Sequence, residues 1–363
     1  MSLNKPDSVI KRVNFKWEEV ELSIEVFKNK VISMIMWWAI WDAMWVPVEM
    51  KTYKYIQENH GRVDDYLDSS LNIFFNKWWL ASGKKWLISD DTILTLAGVN
   101  SILETGNIDF DNILKHSINW YKNFPYWFGK WTTKALEKYE ILESQNPGNN
   151  NYIDLWDKLS SGNGVAMKQS PYSAYFLGKN FSNESIDENM KILANMTHWH
   201  STTIVASLVH NHFLIELLKA NDDTKLDELL IYLINYSRNI EQNMLADCDD
   251  SISDLLEKLL DDYSSGWLQS YDEILSKYWW WDKRIWASGY VLTTLWIVYS
   301  IFLNKQDFNW LLDSINIGWD TDSFAAIIWN MIWAYKWKFY SDYHQNWVEK
   351  SNENFTVIIT KTE

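Results

Sequence analysis

Ala39-Ile40-Trp41-Asp42-Ala43-Met44-Trp45-Val46-Pro47-Val48-Glu49 puts tryptophan at two positions where its neighbours call for glycine. With glycine at 41 and 45 the stretch reads A-I-G-D-A-M-G-V-P-V-E. Asn316-Ile317-Gly318-Trp319-Asp320-Thr321-Asp322-Ser323 behaves alike and reads N-I-G-G-D-T-D-S once Trp319 is exchanged. Tight turns suit glycine, which lacks a Cβ, and are hostile to an indole. Composition agrees. A chain of 363 residues carries about 25 glycines at average usage, whereas this one has 12 Gly and 25 Trp, together about a tenth of its length. The sequence is also rich in Lys, Asn and Ile, as an AT-rich gene would make it. UGA codons that mean glycine in the source, translated as tryptophan, explain the pattern. UGG codons at the motif tryptophans would exclude it.

The length suits one large domain or two ordinary ones. A net charge of −15 argues against a non-specific nucleic-acid partner, which needs a basic surface, and against an anionic membrane surface. The single cysteine, Cys248, leaves no intramolecular disulfide and fits a reducing, cytoplasmic setting. The first residues show no early apolar secretory core. Two apolar stretches, 31–50 and 285–303, are long enough to attract a membrane reading. Asp42, Pro47 and Glu49 interrupt the first, and Ser288, Gly289, Thr293 and Thr294 the second. Both are expected to be buried core helices, with hydropathy inflated by tryptophan.

Apolar residues recur at three- and four-residue spacing over 226–240, 252–263 and 324–335, so the chain is expected to be helical nearly throughout. The main strand-like alternation is Phe355-Thr356-Val357-Ile358-Ile359 in the C-terminal tail. Turn-forming clusters at 146–151, 178–185 and 220–224 read as helix connections. No repeat and no composition shift divides the chain.

Two clusters carry chemistry. Ser89-Asp90-Asp91-Thr92 offers adjacent carboxylates flanked by hydroxyls, hard oxygen donors suited to Mg²⁺ or Mn²⁺. Alone it is a weak signal, because Asp64-Asp65, Asp222-Asp223, Asp249-Asp250 and Asp261-Asp262 are expected to be solvated pairs. Asp320-Thr321-Asp322-Ser323 opens a very apolar helix. A helix cap by Asp320 or Ser323 would explain one member of that cluster, not the set. Should Ser89, Asp90 and Asp91 meet Asp320, Asp322 and Ser323, six oxygen donors would surround room for two cations. Such cations would neutralise the carboxylates' repulsion.

Together these segments resemble the ADP-ribosylglycohydrolase family. Its members carry G-D-A-x-G-x-P-x-E, T-D-D-T, G-N-G-x-A-M-R, T-H and G-G-D-T-D-T elements in that order. Here they correspond to Asp42 through Glu49, Ser89 through Thr92, Gly162-Asn163-Gly164-Val165-Ala166-Met167-Lys168, Thr197-His198, and Gly318 through Ser323. The resemblance implies an all-α, single multi-helix domain over 27–345, with residues 1–26 as an extra helix or arm and 346–363 as a tail. It implies two Mg²⁺ or Mn²⁺ ions on Ser89, Asp90, Asp91, Asp320, Asp322 and Ser323, with Glu49 beside them. Glu49 and Asp90 both stand as the proton-transferring carboxylate. Gly162, Asn163 and Gly164 would bring backbone N–H groups to a diphosphate. Ser161, Met167, Phe128, Gly129 and His198 would line the ligand site, Phe128 by stacking. Ser89 and Ser323 stand where threonine is usual and keep the hydroxyl. Lys168 replaces arginine and loses its planar fork. His200, His210 and His212 are expected in the core. The implied reaction is hydrolysis of the bond between ADP-ribose and an acceptor, a protein side chain or a small conjugate, by a monomer. Alternatives are a non-catalytic nucleotide-binding or structural member of the fold, or a chain inactivated because literal Trp41, Trp45, Trp199 and Trp319 crowd the site.

Overall fold

The computed structural model describes residues 9–64, 67–68, 71, 87–123, 128–147, 160–243, 251–266, 289–304, 312 and 316–336. Helix dominates, as the three- and four-residue periodicity predicts. β1 (Val9–Val13) and β2 (Glu19–Ser23) precede α1 (Ile24–Trp45), α2 (Tyr53–His60), α3 (Asp90–Thr105), α4 (Phe110–Asn123), α5 (Lys130–Gln145) and α6 (Ser170–Lys179). Then come α7 (Asn183–Asn195), α8 (Ser201–Lys219), α9 (Leu226–Asn243), α10 (Ile252–Ser264), α11 (Val291–Asn304) and α12 (Thr321–Tyr335).

Residues 1–26 are expected as a helix or arm; instead, 9–23 form a hairpin. β1 and β2 pair antiparallel from Val9↔Ser23 to Val13↔Glu19. Its turn is closed by the Asn14 N–H to Glu18 O (3.0 Å) and the Trp17 N–H to Asn14 O (3.0 Å). Trp17 sits there at φ 64°, a conformation that favours glycine. The indole at 17 therefore hides the turn signal that would have revealed the hairpin. The hairpin is tied to the helical body, because Arg12 donates to Leu177 O (2.7 Å) and Gly178 O (3.0 Å) at the end of α6. The alternating stretch 355–359 and the tail lie outside the described residues.

α8 is the central helix. Every residue from Thr202 to Leu218 is buried, as expected of a helix apolar on all sides. Several of its polar side chains find partners: His210 Nδ1 lies 3.0 Å from Tyr299 OH, and His212 Nε2 2.8 Å from Asp187 Oδ1. Lys30 of α1 is buried, and its Nζ donates to Leu217 O (3.2 Å), Leu218 O (3.0 Å) and Ala220 O (3.1 Å). Leu217 O also accepts from the Ala220 N–H (3.2 Å), but carbonyls at a helix end lack the usual N–H four residues on within the helix, which leaves them open to such a donor. Burial pulls the Lys30 ammonium down to about 7.

α1 is long and apolar enough to cross a bilayer, but most of that span is buried within the fold, as expected of a core helix. Residues 37–45 are all buried and pack along α12. Trp41 stacks on Trp329 with centroids 4.6 Å apart, and Trp37 stacks on Trp329 (6.1 Å) and Trp333 (5.9 Å). The buried indole N–H groups of Trp38 and Trp45 meet no acceptor among the described residues. Leaving a buried donor unsatisfied costs about 1–3 kcal/mol, so the seam accommodates these side chains without satisfying them. Of the second apolar stretch, 285–303, residues from Val291 on form α11 (Val291–Asn304), buried almost throughout; residues 285–288 lie outside the described ones.

Candidate active site

Two pairs of loops are stitched together where helices begin and end. The Trp319 N–H donates to Lys51 O (2.7 Å) and the Met50 N–H to Trp319 O (2.6 Å), holding the segment after α1 against the segment before α12. The approach is so close that a Cβ on Gly318 (φ 89°) would lie 2.3 Å from Lys51 O. Trp319 follows at φ 67°, again a left-handed conformation. This stitch brings Glu49 to Asp320 and Asp322, with one carboxylate oxygen of each lying within 4.8 Å of the others. In the second pair, the Asn163 N–H donates to Gly289 O (2.8 Å) and the Val291 N–H to Ser161 O (3.1 Å). The glycine loop is thereby fixed against the start of α11.

The third acidic segment arrives with α3. Ser89 caps that helix, its Oγ accepting from the Asp91 N–H (3.1 Å). Asp42, inside α1 and 0% exposed, anchors the same turn. Its Oδ2 accepts from the Ser89 N–H (2.8 Å) and from Thr92 Oγ1 (2.5 Å). Ser323 Oγ of α12 donates to Asp91 Oδ2 (3.3 Å), as does Ser89 Oγ (3.2 Å). Asp320 makes no side-chain cap to α12. Its Oδ2 instead accepts from Asn163 Nδ2 (2.7 Å), which also donates to Thr294 Oγ1 (3.0 Å).

A cavity of about 490 Å³ opens over this floor. Asp90, Asp91, Gly129, Ser161, Gly162, Asn163, Gly164, Met167, His198, Asp320 and Ser323 all line it, though they come from five separated stretches of chain. Ser89, Asp322 and Glu49 are not among the lining residues, and Glu49 is partly exposed. The Phe128 ring packs edge-on against Tyr121 at 5.2 Å and is not among the residues lining the cavity. His200 lines the cavity where a core position was expected. The glycines serve a purpose beyond freeing N–H groups. A Cβ at Gly164 would lie 2.8 Å from His198 Cε1, and one at Gly162 3.1 Å from His198 Nε2. The ring therefore occupies the space that side chains there would fill.

None of Trp41, Trp45, Trp199 and Trp319 is among the residues lining the cavity. Of the acidic pairs set aside as solvated, Asp222 and Asp223 are exposed, but Asp262 is buried. Asp65, Asp249 and Asp250 lie outside the described residues.

The electrostatics are those of a site short of positive charge. Burial, then Asp322, pushes the Asp42 carboxyl up to about 7. Burial and Asp322 likewise lift Asp90 to about 7, although the Gly129 N–H, 3.0 Å from its Oδ2, opposes the rise. Burial and the neighbouring carboxylates raise Asp91 and Asp320 well above the usual range, and burial raises Asp322. One buried oxygen each of Asp42, Asp91 and Asp322 has no hydrogen-bond partner among the described residues. Buried, unpartnered, mutually repelling carboxylate oxygens are the donor set that a hard divalent cation satisfies. The residues present fit such an ion.

Asp42, whose anchoring role follows only once α1 and α3 are juxtaposed, escapes the motif-based list. Lys130, Thr132 and Tyr290 also line the cavity without any sequence signal.

Known proteins give the same class of fold. The sequence profile of the ADP-ribosylglycohydrolase family matches residues 25–331. The chain therefore belongs to the ADP-ribosylglycohydrolase family. It is 23% identical over 313 residues to an uncharacterized protein of Archaeoglobus fulgidus, a match covering 84% of this chain and 85% of the archaeal one. It also superposes on a solved ADP-ribosylglycohydrolase-related protein complex with a TM-score of 0.59 and 19% identity, covering 86% of this chain and 89% of that one. At that identity the likeness bears on the fold, which is helical in both.

Proposed function

We propose that this protein hydrolyses the glycosidic bond between ADP-ribose and an acceptor, reversing ADP-ribosylation. One observation carries the reading. Carboxylates from three distant segments converge beneath a cavity sized for a small ligand, and several of their buried oxygens lack partners. A purely structural role gives no reason to gather so much like charge in one place.

Ser89, Asp90, Asp91, Asp320, Asp322 and Ser323 would hold two Mg²⁺ or Mn²⁺ ions. When bound, these supply positive charge that orients the ribose hydroxyls and offsets charge developed during bond cleavage. The chain's own residues do the rest. Asn163 holds Asp320 in place through its amide, and Asp42 holds the Ser89–Thr92 turn. The loop Ser161–Gly164 borders the cavity on the side where the diphosphate of ADP-ribose would lie. Proton transfer falls to a carboxylate. Asp90 faces the cavity and is one candidate. Glu49 lies against Asp320 and Asp322 and is the alternative. The proposal extends to a monomeric cytoplasmic enzyme without nucleic-acid or membrane partners, supported by the charge of −15 and the single cysteine.

The test is release of ADP-ribose from an arginine-ADP-ribosylated protein, with Mg²⁺ and then with a chelator. Release that the chelator stops is the expected result. A folded protein that binds ADP-ribose yet releases none, from arginine-linked, serine-linked and small-molecule conjugates alike, would overturn the enzymatic reading in favour of a binding protein.

A further inference from the structure

Beside the acidic floor, three side chains form a line that the hydrolytic reading leaves unused. Lys168, at the end of the 3₁₀ turn Ala166–Lys168, is buried. Its Nζ donates to Thr197 Oγ1 at 3.2 Å. The same Oγ1 lies 2.9 Å from His198 Nδ1. Both residues are pinned at the end of α7, because the Thr197 N–H (3.1 Å) and His198 N–H (2.8 Å) donate to Ala194 O. The far edge of the imidazole presses on Gly162 and Gly164 and borders the cavity. There Nε2 has no hydrogen-bond partner among the described residues.

Donor counting orients this line. An ammonium donates and never accepts, whereas a threonine hydroxyl accepts and has one hydrogen to give. Among the described residues the buried Thr197 Oγ1 meets only Lys168 Nζ and His198 Nδ1. With Lys168 donating, the hydroxyl hydrogen finds an acceptor only if Nδ1 takes it, whereas an Nδ1–H aimed at the second lone pair would leave that buried hydrogen unsatisfied. A neutral imidazole whose Nδ1 accepts carries its proton on Nε2. We propose that Lys168 and Thr197 are positioning residues that fix His198 as the Nε2–H tautomer, so that the ring presents a hydrogen-bond donor, and not a base, to a ligand oxygen beside the glycine loop.

The protonation states agree with this arrangement. Burial, then the charge of Lys168, holds His198 down at about 3 and hence neutral. Burial lowers Lys168 to about 8 while Asp90 opposes the fall, which leaves the ammonium predominant at neutral pH. The tautomer follows from the contacts with Lys168 as an ammonium. Only its role toward an oxygen of ADP-ribose rests on the glycohydrolase reading.

The experiment is a long-range ¹H–¹⁵N correlation of histidine side chains in the ligand-free, ring-labelled protein, with His198→Asn identifying the signal by its loss. The expected pattern is a protonated Nε2 and an unprotonated Nδ1. A protonated Nδ1 in the unmutated protein overturns the proposal. Thr197→Val removes the relay and should bring averaged shifts as both tautomers populate, while Thr197→Ser and Lys168→Arg keep the original pattern. Lys168→Glu replaces the donor with an acceptor and should move the proton to Nδ1. Where that variant does not fold, Thr197→Val decides, and an unchanged ring pattern there refutes the relay. Titration with ADP-ribose adds a second readout: with both tautomers populated, Thr197→Val should weaken binding about twofold, because the donor-bearing ring is present only about half the time, with Thr197→Ser restoring it. The expected tautomer in a protein that neither binds nor cleaves ADP-ribose keeps the relay and removes the glycohydrolase reading. Metal-dependent cleavage with a protonated Nδ1 does the reverse.

Discussion

Helices α1 and α12 pack along one another, and their flank and their site-facing ends obey different rules. Along the flank, Trp37, Trp41, Trp45, Trp329 and Trp333 are stacked and buried. At the ends, Glu49, Asp320 and Asp322 converge. The flank is held by non-directional apolar contact, so its contents can change provided the helices shift to fill the space. The ends hold charge in a fixed geometry, and no shift of the helices supplies the missing positive partner. The chemistry is therefore carried at the ends, and they are where substitution should be tolerated least.

The sharpest way to break the comparison is to remove one carboxylate. Asp320→Asn or Asp91→Asn should lower turnover by about a thousandfold or more, the scale of losing one principal electrostatic stabiliser. The same substitutions should raise the thermal midpoint of the chelator-treated protein, because a repelling charge is gone. Wild-type turnover in either variant would remove the acidic floor from the chemistry.

On the flank the expected effect is on stability. Trp41→Gly in the chain as written should cost about 3–5 kcal/mol, the cost of deleting a large buried aromatic, with the cavity left intact. Joint replacement of Trp41, Trp45, Trp329 and Trp333 by glycine should cost much less than the sum of the four singles, because the helices can close together. Denaturant titration of singles and the quadruple variant gives the answer. Strict additivity would mean that the seam cannot contract.

Acidity distinguishes the two regions again. Asp42 and Asp90 ionise near 3.8 when unperturbed and at about 7 in the folded protein. Between those values the folded state binds more protons than the unfolded chain, so stability falls as pH rises. Chelator-treated protein should therefore unfold at a higher temperature at about pH 5 than at about pH 7.5, and saturating Mg²⁺ should remove most of that difference. A midpoint that rises with pH in chelator would contradict the raised carboxylates.

The smallest effects belong to two tryptophans remote from the stacked flank. Trp17 and Trp319 lie at φ 64° and 67°, where a side chain costs about 1–2 kcal/mol. Trp17→Gly, at an exposed hairpin turn, should stabilise by about 1 kcal/mol and move the midpoint by about 2–4 °C. Trp319→Gly should do at least as much. Destabilisation by Trp17→Gly would argue for an indole selected at that position.

The helices were legible in the sequence because their apolar spacing rests on other residues: 226–240 and 252–263 contain no tryptophan, and 324–335 keeps its phase around Trp329 and Trp333. The hairpin was not, because Trp17 stands where the turn signal should be. The acidic clusters were legible as local motifs, and the family order tied them together. Asp42's anchoring of the Ser89–Thr92 turn and the packing of Phe128 against Tyr121 depend on how distant segments pack, which spacing along the chain does not encode. The reason for the glycines at 162 and 164 belongs to the same class, since His198 arrives there from 34 residues beyond Gly164.

Lys30 has a further use, as a timer. Its amine is enclosed by three carbonyls at the end of α8, out of reach of acylating reagents while α1 and α8 stay together. Exposed lysines such as Lys54 and Lys115 would be labelled at once. The delay before Lys30 takes up label, followed by mass spectrometry, then measures how often the first helix lifts from the central one.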